Sequence, residues 1–193
     1  MAKRLTVADL RALKGERQLT MLRVTTMDES AAAERAGIDL VSVPPELLCR
    51  PDYRDVAPSL FSIPGMDYFD VGTSEDFIRW SFRMLQHGAD AVYCSASYAT
   101  IRAMADEAVP VIGHVGLVPS RRTWTGGFKA VGKTADSAMA IWAAVQALEA
   151  AGAFGAEIEV VPVEVAQAIS ERTSLIMLSM GAGAGCDAQY LFA

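Results

Sequence analysis

A chain of 193 residues, 52 % hydrophobic and 21 % charged, has the composition of a compact globular domain and not of a disordered segment. Seventeen basic against twenty-three acidic side chains leave a net charge of −6 with no basic stripe, which argues against a nucleic-acid partner. No apolar run is long enough to span a membrane. The odd trio Cys49, Cys94 and Cys186 lacks metal-ligand spacing, and the opening MAKRLTVADLRALKGE lacks the apolar centre of a signal peptide. The expectation is one cytoplasmic domain over residues 1–193.

In chain order, Thr6–Leu13 reads as a helix, with Thr6 as N-cap and Asp9 in the capping-box position, ended by Gly15. Leu19–Thr25 is the first strand. Ser30–Ala36 is an Ala-rich helix stopped by Gly37, and Ile38–Val43 is the second strand, closed by Pro44-Pro45. Residues 47–59 read as loop with at most a helical turn. Leu60–Ile63 is a weak third strand, Asp67 and Asp70 follow in a loop, and Thr73 caps a helix over 74–87.

The second half is more regular. Strands at 91–95, 109–112, 156–160 and 174–180 alternate with helices at 99–107, 135–150 and 163–170, and Tyr190–Phe192 makes a last short strand. This βα rhythm favours a parallel sheet with helices outside it, a shortened TIM-type (β/α)8 barrel first and an open doubly wound sheet second. A full barrel usually takes about 250 residues. The economy falls in a reduced second βα unit and in a missing final helix.

The most informative stretch is 109–134, VPVIGHVGLVPSRRTWTGGFKAVGKT. A buried strand Val109–Ile112 runs into Gly113-His114-Val115-Gly116, read as a turn, and then into a long glycine-rich loop, where an α/β enzyme keeps its chemistry. Gly127 and Gly132-Lys133-Thr134 meet the spacing of a phosphate loop, but no strand runs directly into Gly127, so the context speaks against one. Trp80, Trp124 and Trp142 read as packing rather than ligand stacking, with Trp124, in the loop, the one to watch. Glu159, at a strand end, is either functional or paired with a cation such as Lys129 or Lys133.

These segments resemble ketopantoate hydroxymethyltransferases. The resemblance rests on TVADLRALKG (6–15), LTML (19–22), AGID (36–39), PVIGHVGLVP (110–119), GGFKAVGKT (126–134), LEAAGAF (148–154), EVVP (159–162), and Gly181-Ala-Gly183 with Cys186-Asp187. It implies a TIM-type barrel, a homo-oligomer, and transfer of the one-carbon unit of methylenetetrahydrofolate to α-ketoisovalerate, a small 2-oxo acid, as a step toward pantothenate. In that chemistry Mg²⁺ chelated by the keto acid stabilises the enolate while a carboxylate moves the proton.

Carried over by position, Glu159 matches the family's catalytic glutamate and His114 its substrate-contacting histidine. The metal site departs from the pattern. The family's Gly-Asp-Ser after the second strand reads Pro44-Pro45-Glu46 here, and its Lys-Leu-Glu on the fourth reads Tyr93-Cys94-Ser95. Proline offers no side-chain donor and serine is a poor ligand for Mg²⁺. Glu46 and Asp67 are then the candidates for a rebuilt metal site, with Ser95 and Glu46 beside His114 as substrate contacts. Besides the transferase, a lyase or aldolase acting on another 2-oxo acid and a non-catalytic, ligand-binding or oligomer-forming homologue fit these departures.

Overall fold

The computed structural model describes residues 3–66, 70 and 72–192. Helix α1 (Val7–Leu13) opens with the expected capping box: the Asp9 amide donates to Thr6 Oγ1 at 3.2 Å and the Thr6 amide donates to Asp9 Oδ2 at 2.8 Å. The same device starts α2 (Met27–Ala36), where Thr26 and Glu29 cap each other three residues ahead of the expected start at Ser30. Gly37, at φ 72°, ends that helix.

Eight strands follow the βα rhythm: β1 (Leu19–Arg23), β2 (Leu40–Val43), β3 (Phe61–Pro64), β4 (Val92–Tyr93), β5 (Val111–Gly116), β6 (Gly155–Glu159), β7 (Ile176–Met180) and β8 (Ala188–Phe192). All paired neighbours are parallel, in the order β3-β2-β1-β8-β7-β6-β5-β4. The two ends of that order meet through one isolated parallel bridge, Gly65 to Tyr93, which makes the sheet a nearly closed barrel. The barrel expected from the rhythm is therefore the fold, and the open sheet is not.

Between β2 and β3 the chain is less bare than its sequence suggests. Residues 47–59 contain most of two one-turn helices, α3 (Pro45–Leu48) and α4 (Tyr53–Val56), with Pro45 at the first turn of α3, where a missing N–H costs nothing. The longer crossovers are α5 (Ser74–Gln86), α6 (Tyr98–Asp106), α8 (Ala135–Ala150) and α9 (Val163–Ser170). A 3-10 turn (Pro119–Arg121) and α7 (Arg122–Thr125) occupy the glycine-rich loop. Strand alternation divides the core in two. Leu19, Met21, Leu40, Phe61, Ile112 and Leu178 fill the barrel, and fully buried Leu10 of α1 packs into the same cluster. Val41, Val111, Ala156 and Met177 face outward against helix residues such as Met104, Val145 and Leu148.

One expectation fails in an instructive way. Gly113-His114-Val115-Gly116 is not a turn but the second half of β5. Gly113 serves helix packing: a Cβ there would lie 2.6 Å from Leu148 Cδ2 of α8. The GKT pattern serves helix initiation, because the Ser137 amide donates to Thr134 Oγ1 at the N-cap of α8.

Candidate active site

Alternation along β5 and β6 aims His114, Glu157 and Glu159 at the barrel axis, with His114 opposite Glu157 and Gly116 opposite Glu159 in register. They line a cavity of about 310 Å³ at the C-terminal ends of the strands. Arg23 of β1, Ser42 of β2, Tyr93 of β4, Met180 of β7 and Tyr190 of β8 contribute to its wall, as does Gly65 just past β3. This is the end of such a barrel where catalytic groups gather.

His114 lies at the centre, its side chain 1 % exposed. Its Nδ1 is 2.7 Å from Tyr93 Oη and 3.3 Å from Glu157 Oε2; its Nε2 is 3.1 Å from Glu159 Oε2. Burial by itself disfavours the charged ring, but the adjacent carboxylates of Glu157 and Glu159 outweigh it, raising the His114 pKa to about 9. A ring protonated on both nitrogens donates Nδ1–H to the Tyr93 oxygen. Lys129 and Lys133 are exposed, so the cation beside Glu159 is His114.

His114 Nε2 and Glu159 Oε2 are both buried and both lack a hydrogen-bond partner, although they stand 3.1 Å apart, because the N–H does not point at the oxygen. Leaving such a buried group unsatisfied typically costs ~1–3 kcal/mol. The backbone fixes this arrangement. The Leu117 amide donates to the Glu159 carbonyl at 2.9 Å, and Gly116, at φ 85°, approaches Glu159 so closely that any Cβ would overlap that carbonyl. Val160, the residue after Glu159, sits at φ 49°. A β-branched side chain is strained there, and strain of this kind gathers at functional sites.

The other sequence candidates lie elsewhere. Ser95 is half-buried and lines a separate cavity of about 270 Å³ among β5, α6 and α8, which shares only a wall with His114. Glu46 is exposed on α3, in a cleft with Asp70, Trp80 and Arg83. Asp67 lies outside the described residues. Trp124 is 91 % exposed on α7. Glu157, Tyr93 and Arg23 were not among the candidates. Glu157 had a signal in its spacing, since two residues before Glu159 on one strand is the same face.

The donor set does not fit a Mg²⁺ chelate among the described residues. Pro44-Pro45 closes the tip of β2 without an oxygen ligand, and the two carboxylates of the mouth converge on the two edges of His114. No group of three His, Cys, Asp or Glu side chains among the described residues could hold a metal ion. Thiol chemistry is no substitute: burial pushes Cys94 and Cys186 up to about 11.

A family model described as ketopantoate hydroxymethyltransferase matches residues 57–193. The chain belongs to that family. The 3-methyl-2-oxobutanoate hydroxymethyltransferase of Nitratidesulfovibrio vulgaris (strain DP4) is 31 % identical over 97 % of this chain and 69 % of its own length. One from Thermus thermophilus is 33 % identical over 97 % of this chain and 80 % of its own. That of Heliobacterium modesticaldum is 38 % identical over 74 % and 53 %. Among solved structures, a 2,3-dimethylmalate lyase of the PEP mutase/isocitrate lyase superfamily superposes with a TM-score of 0.69 at 15 % identity, covering 97 % of this chain and 81 % of that one. A phosphonopyruvate hydrolase in complex with oxalate and Mg²⁺ gives 0.65 at 14 % identity, covering 97 % and 80 %. These likenesses establish the barrel. As a ketopantoate hydroxymethyltransferase family member, the chain joins a group whose named relatives are transferases.

Proposed function

We propose that this family member is an enzyme that removes a C3 proton from α-ketoisovalerate and adds the enolate to the one-carbon unit of methylenetetrahydrofolate. Water supplies the new hydroxyl and the donor leaves as tetrahydrofolate. The observation that carries this reading is the unsatisfied pair at the barrel mouth, one acceptor on Glu159 beside one donor on His114. A ketone with an adjacent C–H supplies what both atoms lack: Glu159 takes the proton, and His114 Nε2–H meets the carbonyl oxygen. Arg23, whose Nη1 donates to Ser42 Oγ at 2.9 Å, is the cation placed across the same cavity for the substrate carboxylate.

The test is a product assay by mass spectrometry with both substrates, on wild type and on Glu159→Gln, with Mg²⁺ and with EDTA. Hydroxymethylated product from the wild type, lost in the variant, is the expected result. Neither product nor C3 exchange in any arm would overturn the enzyme reading. The second reading, a non-catalytic homologue that binds a small acid, would then stand; Pro44-Pro45 at the tip of β2 is the observation that favours it.

A further inference from the structure

Enolisation of a 2-oxo acid places negative charge on the carbonyl oxygen, and some positive group must meet it. Among the described residues the barrel mouth offers no metal chelate, but it holds a buried imidazole whose two edges each face a carboxylate. Resting on the 2-oxo acid reading above, we infer that the His114 imidazolium takes the place of the divalent cation, and that Glu157 is the positioning residue that holds it charged.

Among the described residues five charged or titratable groups face His114 or share the barrel-mouth cavity: Glu157 and Glu159 from β6, Tyr93 from β4, Tyr190 from β8 and Arg23 from β1. Glu157 and Tyr93 share the Nδ1 edge and fix the ring, which leaves Nε2–H for the ligand. In the step itself the C3–H bond breaks and its proton passes to Glu159 Oε2. The C–H electron pair becomes the C2=C3 bond, and the carbonyl π pair moves onto oxygen, which accepts a hydrogen bond from Nε2–H. Negative charge leaves Glu159 as it appears on the enolate, so the imidazolium keeps a negative neighbour at each edge throughout. Little reorganisation is then needed, which is the condition under which fixed charges catalyse well. Raising His114 to a pKa of about 9 agrees with this role.

Two measurements on the full chain test it. The first follows loss of the C3–H signal of α-ketoisovalerate in D₂O by NMR, in EDTA and in Mg²⁺. The second titrates the imidazoles of histidine-labelled protein; His87 and His114 are its two histidines, so His87→Gln assigns the signals. We expect exchange in EDTA to be within about twofold of that in Mg²⁺, and His114 to titrate near 9. Glu157→Gln should lower that pKa and slow exchange by about tenfold or more, and Glu157→Asp should restore part of both. Exchange abolished by EDTA and insensitive to Glu157 overturns the inference and leaves the 2-oxo acid reading standing. An imidazole at the ordinary histidine value overturns the charged His114 whatever the turnover. Absence of exchange in both buffers, with the high titration intact, overturns the 2-oxo acid reading and the inference with it.

Discussion

The two ends of the barrel treat buried charge in opposite ways. At the N-terminal end, Lys14 donates to the Ser170 and Leu175 carbonyls at 3.0 Å each and to Asp187 Oδ2 at 2.6 Å, using all three of its protons. Asp187 Oδ2 also accepts from the Met177 amide at 2.8 Å and from Ser170 Oγ at 3.2 Å, which ties the starts of β7 and β8 to the chain between α1 and β1. At the C-terminal end, His114 and Glu159 each keep one polar atom without a partner. A knot whose protons are all used makes structure; a pair left short of partners is poised for a ligand.

That contrast can be broken by substitution. Glu159→Gln should lower C3 exchange by about 10²–10⁴-fold while circular dichroism stays native, the range a positioned general base supplies. Asp187→Ala should do the reverse. Stranding Lys14 among carbonyls should cost about 3–5 kcal/mol in urea unfolding, with exchange per folded molecule unchanged. Gly116→Ala tests the boundary between the two ends. It should cost ~1–3 kcal/mol of backbone strain and also depress exchange, because the displaced atom is the Glu159 carbonyl.

A pH series sharpens the comparison further. The folded pKa of His114 lies above its ordinary 6.5, so its pairing stabilises the fold fully below about 6.5 and is lost as pH rises through about 9. The melting temperature should therefore decline across that window, and Glu157→Gln should flatten the decline. At the small end, Trp124→Ala should change stability by no more than ~0.5 kcal/mol, since the ring is 91 % exposed.

Much of this was legible in the sequence, for physical reasons that differ by element. Helix α8 was readable to the residue because Thr134 caps it and its run is long. The β5 ending was misread because glycine signals both turning and close packing, and only the position of Leu148 tells which. His114 and Glu159 were found by resemblance and meet in one cavity. Tyr93 registered only as a lysine lost, yet its hydroxyl is the group on His114 Nδ1. Glu157 was hidden inside an apolar run, although its spacing from Glu159 placed it on the inner face. Glu46 was chosen for chemistry alone, and α3 carries it to a different cleft.

One feature of the sheet reaches into the site. Among the described residues the ring of strands is joined between β3 and β4 by the bridge from Gly65 to Tyr93 and by the Asp90 amide, which donates to the Ser62 carbonyl at 3.0 Å, whereas β5 and β6 share five register pairs. A ring breathes at its thinnest link, so we expect amide hydrogen exchange to be fastest along that join and slowest along β5–β6. The residue on the thin side is the one whose hydroxyl rests on His114. Tyr93 thus belongs to two structures at once, the seam of the barrel through its backbone and the site through its hydroxyl.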